Sequence, residues 1–461
     1  MTKHHGRDSY GNRWPSFIAC VLLAVSLEQF APRWAAADGN DFAAQSQKQW
    51  HQWRGPLATG VAPFGNPPVE WSETKHVKWK VEAPGRGGST PIVWNGKIYL
   101  ATAVNSGRVI ETAAKPEDQP ERPFGIKYPN TVYQYQLLCF DLATGEKLWE
   151  RTATEELPHE GHHGDNTFAS SSPFVDGQSV YVSFGSRGLY CYSLDGDLRW
   201  KHPLPNVKTR LSFGEASSPV VARGRLVLVR DNEESSRILV LDAATGELKW
   251  QADREEVSAW ATPLVTEYQG RWQVVTNASA RVRSYDLETG ELIWECGGQV
   301  ANVIPSPMRH GDNVICMSGY KGSAAFSLPL DARGNITDTD KIGWRYDRDT
   351  PYVPSALLYD NRLYFPKLNT AIFTMLDATT GQPIVAASRL QGVANVYASP
   401  VAAAGRVYIV GRDGSAVVLK QGDELQTLAT NKLDDGIDAS PAIIGNSLLL
   451  RGHKYLYHIA E

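Results

Sequence analysis

The sequence predicts an all-β fold, an eight-bladed β-propeller built from four-stranded blades. Two repeated phrases lead to this prediction: a turn of the form D-x-x-T-G followed by Trp, and a Ser/Thr-Pro pair that recurs about every 44 residues. The chain is also rich in residues for tight turns and bulky anchors, with 40 Gly and 14 Trp among 461 residues. Four short strands per unit of this length are typical of a propeller blade.

The turn phrase has its clearest copies at residues 140–150, 241–251 and 285–295, for example "LDAATGELKWQ". A shortened copy lies at 193–200, and the copy at 376–386 keeps the turn but lacks the Trp. The Gly can adopt positive φ and the Asp can bind nearby backbone N–H groups, so each copy predicts a hairpin turn. The tryptophans that we expect to anchor neighbouring blades are Trp79, Trp149, Trp200, Trp250, Trp294 and Trp344.

Eight positions open a unit with the Ser/Thr-Pro pair or a close variant. They are Thr90-Pro91, Ser172-Pro173, Ser218-Pro219, Thr262-Pro263, Ser306-Pro307, Ser355-Ala356, Ser399-Pro400 and Ser440-Pro441. The long first interval predicts an insertion over about 105–133. A seven-bladed ring is the alternative, because the sixth unit is degenerate.

The two ends of the repeat region predict how the ring closes. The last unit ends after three strands, and "HVKWKVEAP" (76–84) precedes the first opening and carries Trp79 at the motif position. This N-terminal strand is expected to complete the last blade and leave no open sheet edge. We therefore assign 69–461 to the propeller and 38–68 to a capping or linking segment.

The first 37 residues predict a signal peptide. Basic residues precede the apolar run "FIACVLLAVSL" (17–27), and "AAA" (35–37) is a small-residue cleavage site. We expect cleavage near Ala37 and a periplasmic or extracellular protein without a transmembrane segment in the mature chain. An uncleaved anchor and a lipid on Cys20 are the alternatives. The net charge of −4 offers no basic field for nucleic acid.

The repeat resembles the PQQ-like (pyrroloquinoline-quinone-like) propeller family, whose tryptophan-docking motif is similar to the turns quoted above. One branch of that family comprises quinoprotein dehydrogenases, which hold PQQ and Ca²⁺ over the propeller axis. Another branch is BamB-like and non-enzymatic. The start "WHQWRGPLATGVAP" also looks like exported propeller proteins of planctomycete-type bacteria. The dehydrogenase branch usually carries an adjacent Cys-Cys pair, which this sequence lacks.

The decapeptide "LPHEGHHGDN" (157–166) contains the spacing H-E-x-x-H, which binds zinc when it lies on a helix. Pro158, Gly161 and Gly164 argue against a helix here and hence against a zinc protease. A weaker hypothesis is a metal or polar-ligand site in an inter-blade loop, formed by His162, His163 and Asp165. The alternative is a loop that hydrogen bonds simply hold in place.

Residues just ahead of each blade opening are candidates for a ligand or partner face, with capping of strand ends as the alternative. They are Arg86, Asn166, Glu215, Trp260, Asn302, Tyr352, Asn395 and Asp438. Trp260 and Tyr352 are favoured because aromatic residues commonly anchor interfaces.

The sequence thus predicts an exported, non-catalytic propeller that binds a protein, peptide or glycan of the cell envelope and needs no cofactor. The first alternative is a quinoprotein-like alcohol or sugar oxidoreductase that uses PQQ and Ca²⁺. The second is a metal-dependent hydrolase or lyase that uses His162, His163 and Asp165.

Overall fold

A computed structural model describes residues 39–461, and eight blades of four antiparallel strands form a β-propeller ring in it. The predicted fold class and the count of eight blades are confirmed, and the seven-bladed alternative is wrong. The predicted signal peptide lies outside the described residues. No helix of the described part is long and apolar enough to cross a membrane.

The N-terminal part contains a helix, α1 (Gly39–Ser46), and the strand β1 (Val77–Glu82). Blade 1 contains β2 (Ile92–Trp94), β3 (Lys97–Val109), β4 (Thr131–Asp141) and β5 (Lys147–Glu156). Blade 2 contains β6 (Phe174–Val175), β7 (Ser179–Ser183), β8 (Leu189–Ser193) and β9 (Leu198–His202). Blade 3 contains β10 (Val220–Ala222), β11 (Arg225–Arg230), β12 (Arg237–Asp242) and β13 (Leu248–Asp253). Blade 4 contains β14 (Leu264–Tyr268), β15 (Arg271–Asn277), β16 (Arg281–Asp286) and β17 (Leu292–Gly297).

The second half of the ring repeats this pattern. Blade 5 contains β18 (Met308–His310), β19 (Asn313–Ser318), β20 (Ala324–Pro329) and β22 (Trp344–Tyr346), and β21 (Gly334–Asn335) pairs in parallel with β17 of blade 4. Blade 6 contains β23 (Leu357–Tyr359), β24 (Arg362–Pro366), β25 (Ile372–Asp377) and β26 (Pro383–Arg389). Blade 7 contains β27 (Val401–Ala403), β28 (Arg406–Val410), β29 (Ser415–Lys420) and β30 (Thr427–Lys432). Blade 8 contains β31 (Ala442–Ile444), β32 (Ser447–Arg451) and β33 (Tyr455–Ile459), and β1 completes it. Short 3₁₀ turns lie at Pro116–Asp118, Pro123–Gly125, Gly185–Arg187 and Arg210–Ser212.

The N-terminal strand closes the ring as the sequence predicted. β1 runs antiparallel to β33, with Trp79 opposite His458 and Glu82 opposite Tyr455. The first and last parts of the propeller thus share one sheet, so separating the ring at this seam breaks a full strand pairing.

In four of the blades a tryptophan binds a turn of the next blade through its indole N–H. In blade 3, Trp250 Nε1 donates to the carbonyl oxygen of Leu287 at 2.8 Å. Its ring covers Gly290, where a Cβ would lie 2.7 Å from Trp250 Cε3. The same bond, always to the residue after the Asp of the turn, joins Trp79 to Leu142, Trp200 to Ala243 and Trp344 to Ala378.

Two blade tryptophans lack this hydrogen bond for a reason visible in the sequence. Trp149 faces the shortened turn of blade 2, and Trp294 faces blade 5, where a longer segment replaces the turn. The indole nitrogens of both residues are buried without a hydrogen-bond partner in the described part of the chain. The complete turn phrase is therefore needed for the bond as well as for the hairpin.

A ring of hydroxyl side chains joins the inner ends of the blades. We call it the hydroxyl belt, and its members are Thr90, Ser172, Ser218, Thr262, Ser306, Ser355, Ser399 and Ser440. In seven links the backbone N–H of one member donates to the side-chain oxygen of the member in the next blade, at 2.9–3.3 Å. The belt is open between blades 8 and 1, where Thr90 Oγ1 is buried without a partner among the described residues.

Residues 50–62 fill the central channel, and we call them the plug. The carbonyl oxygens of Trp50 and His51 accept the N–H groups of Val93 and Val175, on the inner strands of blades 1 and 2. Farther along, the plug exchanges backbone hydrogen bonds with Ala402 on the inner strand of blade 7. The plug therefore supplies partners to inner strand edges that would otherwise face an empty channel.

Filling the space over the turn glycine should undock the tryptophan. Gly290 and Gly270 both lie in blade 4 with φ of +76° and +80°, but nothing lies within 4 Å of a Cβ at Gly270. Gly270→Ala is expected to lower the free energy of unfolding by about 1–2 kcal/mol, solely because alanine is strained in the left-handed backbone conformation. Gly290→Ala should cost roughly 1–3 kcal/mol more, because the new methyl group displaces Trp250. Urea unfolding of the two variants measures the difference, and equal losses of stability would contradict the docking role.

Candidate functional site

A funnel of about 370 Å³ lies at the end of the channel that the plug leaves open. Trp53 of the plug contributes to its lining, and Trp53 Nε1 donates to Ser306 Oγ at 3.0 Å. Six hydroxyls of the belt also line it: Ser172, Ser218, Thr262, Ser306, Ser399 and Ser440. The funnel is thus a blind pocket with a floor of hydroxyl groups, in the size range of small-ligand sites.

The belt hydroxyls can still donate hydrogen bonds into the funnel. Each of the six lining oxygens accepts a backbone N–H from the preceding blade, and Ser306 also accepts the indole N–H of Trp53. Among the described residues, no acceptor is found for the O–H groups of these six side chains. A hydroxyl both donates and accepts, so the floor presents convergent donors to whatever occupies the funnel.

Aromatic side chains form much of the funnel wall, and we call them the aromatic wall: Phe124, Phe213, Trp260, Tyr320, Tyr352 and Tyr397. Phe213 packs edge-on against Phe124 with ring centroids 5.3 Å apart, and it lies 6.3 Å from Trp260. Tyr320 and Tyr352 are stacked at 4.8 Å. Flat apolar faces therefore line the pocket above the polar floor.

Phe124 comes from the insertion in blade 1, part of which extends the hairpin of β3 and β4. β3 and β4 stay paired as far as Val109 and Thr131, and the loop that follows carries Phe124. Phe124 is 64 % exposed and has φ of +61°, unusual for a bulky side chain. Tyr128 OH lies 2.8 Å from Ser212 Oγ and ties this loop to the loop that enters blade 3.

Paired charges occupy one corner of the funnel. Asp438 accepts from Arg86 at 2.8 Å and from Arg412 at 2.6 Å, and His453 Nε2 lies 2.9 Å from it. Arg412 also reaches Asp165 at 2.8 Å. Burial alone would raise the pKa of Asp438, but the hydrogen bonds from His453, Arg412 and Arg86 outweigh it and hold this pKa well below its usual range. Asp438 is therefore a carboxylate at any ordinary pH.

The three residues of the metal hypothesis are already engaged with other groups. His162 Nδ1 lies 2.8 Å from the carbonyl oxygen of His163, and burial against Phe168 lowers the pKa of His162. Both oxygens of Asp165 are bound, one by Arg412 and the other by Tyr397 OH at 2.8 Å. Within the described part of the chain, no three His, Cys, Asp or Glu side chains are arranged to hold a metal ion.

The segment with the H-E-x-x-H spacing is not helical, as predicted. His159 Nε2 lies 2.8 Å from the carbonyl oxygen of Val207, and Thr209 Oγ1 donates to Glu160 at 2.7 Å. The histidines of the motif therefore make separate contacts and do not share a helix face.

Four of the eight predicted face residues line the funnel: Asn166, Trp260, Tyr352 and Asp438. Arg86 supports Asp438 from behind, and Asn302 is buried with its Nδ2 3.5 Å from Tyr352 OH. Asn395 is exposed, lies outside the lining and contributes its backbone carbonyl to the N–H of Arg412.

Glu215 lines a second, smaller cavity of about 60 Å³ between blades 2 and 3, which we call the side cavity. Glu160 lines it too, and burial raises the pKa of Glu160 to about 7. The side cavity and the funnel share three lining residues: Ser170, Ala216 and Trp260. The two spaces are therefore neighbours across one thin wall.

Comparison with known proteins shows the family and the fold. The model of the family described as "Outer membrane protein assembly factor BamB" matches residues 134–383, more than half of the chain. No curated protein matches the sequence. Among solved structures, quinohemoprotein alcohol dehydrogenase from Comamonas testosteroni is similar, with a TM-score of 0.62 at 10% sequence identity. The similarity covers 92% of this chain and 82% of the dehydrogenase chain. The quinohemoprotein alcohol dehydrogenase ADHIIG from Pseudomonas putida HK5 has a TM-score of 0.54 at 10% identity, with the same shares of 92% and 82%.

The lining of the funnel does not fit the cofactor that the fold family implies. PQQ is a planar tricarboxylate, whereas the funnel is lined by two carboxylates, Asp165 and Asp438, and by no Lys or Arg side chain. The nearby guanidinium groups of Arg86 and Arg412 are already paired with these carboxylates. A Ca²⁺ ion takes six to eight oxygen ligands, and the described residues contain no cluster of acidic side chains for it.

The raised pKa of Glu160 gives a testable pH dependence of stability. This pKa rises from 4.5 to about 7 on folding because burial disfavours the charged carboxylate. Such a group stabilises the fold fully below its unfolded pKa, and the contribution is lost as the pH rises through the folded pKa. The free energy of unfolding of the parent protein should therefore fall by roughly 1–3 kcal/mol between about pH 4.5 and 7 because of this group. In Glu160→Gln this fall should be absent. Urea unfolding across this range measures it, and an unchanged pH profile in the variant would contradict the assignment.

Proposed function

This chain belongs to the family described as "Outer membrane protein assembly factor BamB", and we propose that it is an exported, non-catalytic propeller that binds a glycan of the cell envelope in its funnel. The observation that carries the proposal is the combination of a hydroxyl floor and an aromatic wall in one blind pocket. The signal sequence expected at residues 1–37 supports export.

A sugar matches this lining by its two kinds of surface. The faces of a sugar ring carry C–H groups, which pack well on flat aromatic side chains such as Trp260 and Tyr320. Its edges carry hydroxyls, which can pair with the belt hydroxyls and with Asp438. A protein partner with a broad flat surface would reach only the rim, because the pocket is concave and closed by Trp53.

The charged groups of the funnel favour binding over catalysis. General acid catalysis needs a proton donor whose pKa lies near the working pH. The strongly lowered pKa of Asp438 keeps it ionised, and Asp165 is held by Arg412 and Tyr397. Both carboxylates therefore serve as fixed hydrogen-bond acceptors.

Removing an aromatic face from the wall should weaken sugar binding. Tyr320 lines the funnel and stacks on Tyr352, and its hydroxyl makes no hydrogen bond with the described residues. Tyr320→Ala is expected to lower the affinity for a neutral oligosaccharide by about tenfold or more in isothermal titration. Tyr268→Ala is the matched control, because Tyr268 is a half-buried tyrosine of blade 4 that lines neither cavity.

Two results would contradict the glycan proposal. One is the absence of saturable binding for a broad panel of oligosaccharides. The other is a funnel that binds peptides and no sugar. In that case Tyr320→Ala would reduce the affinity for peptides, and no sugar would bind either the parent protein or the variant.

PQQ is expected not to bind, because no Lys or Arg side chain lines the funnel and the nearby Arg86 and Arg412 are paired with carboxylates. Titration of the purified protein with PQQ, with and without Ca²⁺, should give no saturation of Trp fluorescence up to about 100 μM. Saturable, Ca²⁺-dependent binding would instead support the quinoprotein alternative.

A further inference from the structure

The side cavity lies where a substituent of a funnel-bound ligand could enter. It shares Ser170, Ala216 and Trp260 with the lining of the funnel. A ligand ring that packs on Trp260 would therefore lie beside this cavity. The size of the cavity, about 60 Å³, suits a group of a few heavy atoms and not a second ring.

Most of the charged groups around the side cavity are paired with one another. Arg230 pairs with Glu215 at 2.9 Å, and Asp231 pairs with Arg254 at 2.7 Å. Arg187 pairs with Glu156 at 2.5 Å. An anionic substituent would find no free cation among these pairs, so the cavity disfavours an anionic group.

Two polar groups of the lining can bind an uncharged polar substituent. Ser171 is 5 % exposed and lines the side cavity, and its Oγ is buried without any hydrogen-bond partner in the described residues. A buried hydroxyl without a partner costs stability unless a ligand or a water binds it. The carboxyl group of Glu160 accepts from Thr209 and retains further acceptor capacity.

Apolar side chains contribute another part of the side-cavity lining. Phe168, Ala169, Phe184, Ala216 and Leu228 contribute side chains without polar groups. The cavity therefore combines a hydroxyl donor, a carboxyl acceptor and methyl-sized apolar contacts in a small space.

We propose that the side cavity receives an acetamido group, so that the glycan bound in the funnel contains N-acetylhexosamine residues. This inference rests on the proposed function. The amide oxygen accepts from the Ser171 hydroxyl, the amide N–H donates to the Glu160 carboxyl group, and the methyl group packs on the alanines. N-acetylhexosamines occur both in chitin and in the bacterial cell-wall glycan, and the shared acetamido chemistry is what the cavity recognises.

The test compares three trisaccharides of similar shape that differ at one substituent. Chitotriose carries acetamido groups, cellotriose carries hydroxyls, and the glucosamine trimer carries amines. The purified protein should bind chitotriose about tenfold more tightly than cellotriose in isothermal titration. The glucosamine trimer should show no such advantage, because an ammonium group only donates hydrogen bonds and cannot accept from the Ser171 hydroxyl.

Ser171→Ala should remove the preference for chitotriose and leave the affinity for cellotriose unchanged. The variant should fold at least as stably as the parent, because it deletes a hydroxyl that is buried without a partner. Ser279→Ala is the matched control, since Ser279 Oγ is also buried without a partner but Ser279 lines neither cavity. This control should keep the full preference.

The outcomes separate this inference from the proposed function. Three results would overturn the inference while sugar binding stands. They are equal binding of chitotriose and cellotriose, tightest binding of the glucosamine trimer, and a full preference for chitotriose in Ser171→Ala. Failure of all three sugars would overturn the proposed function itself. A parallel titration with the cell-wall disaccharide of N-acetylglucosamine and N-acetylmuramic acid distinguishes the two natural sources once the preference is established.

Discussion

The inner edges of eight sheets point at one narrow channel, and their backbone N–H and C=O groups need partners there. The plug meets part of this need through backbone hydrogen bonds to blades 1, 2 and 7, and the hydroxyl belt links the blades where the inner strands begin. A buried backbone group without a partner costs about as much as a lost hydrogen bond, which is why the plug and the belt fill or bridge much of the channel. The funnel is what this arrangement leaves open.

The chemistry of the site follows from this constraint. Each belt oxygen accepts one N–H from the preceding blade, so its own O–H is left for the funnel, and six such groups form the floor. The blades repeat but their entry loops do not, and the wall above the floor is asymmetric for that reason. Trp260 and the aromatic residues near it form one part, while Asp438 with Arg86 and Arg412 forms a corner of paired charges.

Much of the fold could be predicted because each blade repeats the same sequence pattern. The spacing of the Ser/Thr-Pro pairs gave the blade count, and "HVKWKVEAP" gave the strand that closes blade 8. The same pairs also marked the belt, but their hydrogen bonds depend on spatial neighbours 41–82 residues apart, which a linear pattern does not show.

The candidate site was harder to predict because its residues come from segments without a repeat. Trp260, Tyr352, Asn166 and Asp438 were found from their position ahead of a blade. Phe124 was missed because it sits in the insertion, Trp53 because it belongs to the plug, and Arg412 because it lies in the hairpin between β28 and β29. The histidines of 157–166 looked like metal ligands in the sequence, yet one ring nitrogen of each contacts a backbone group in the fold.

The central claim is that the space above the hydroxyl belt is the binding site, and a crystal structure of the protein grown with an oligosaccharide tests it most directly. We predict density for a sugar ring in the funnel, packed on the aromatic wall, with its hydroxyls within hydrogen-bond distance of the belt. A sugar bound on the outer strands of the blades, with only water above the belt, would contradict it.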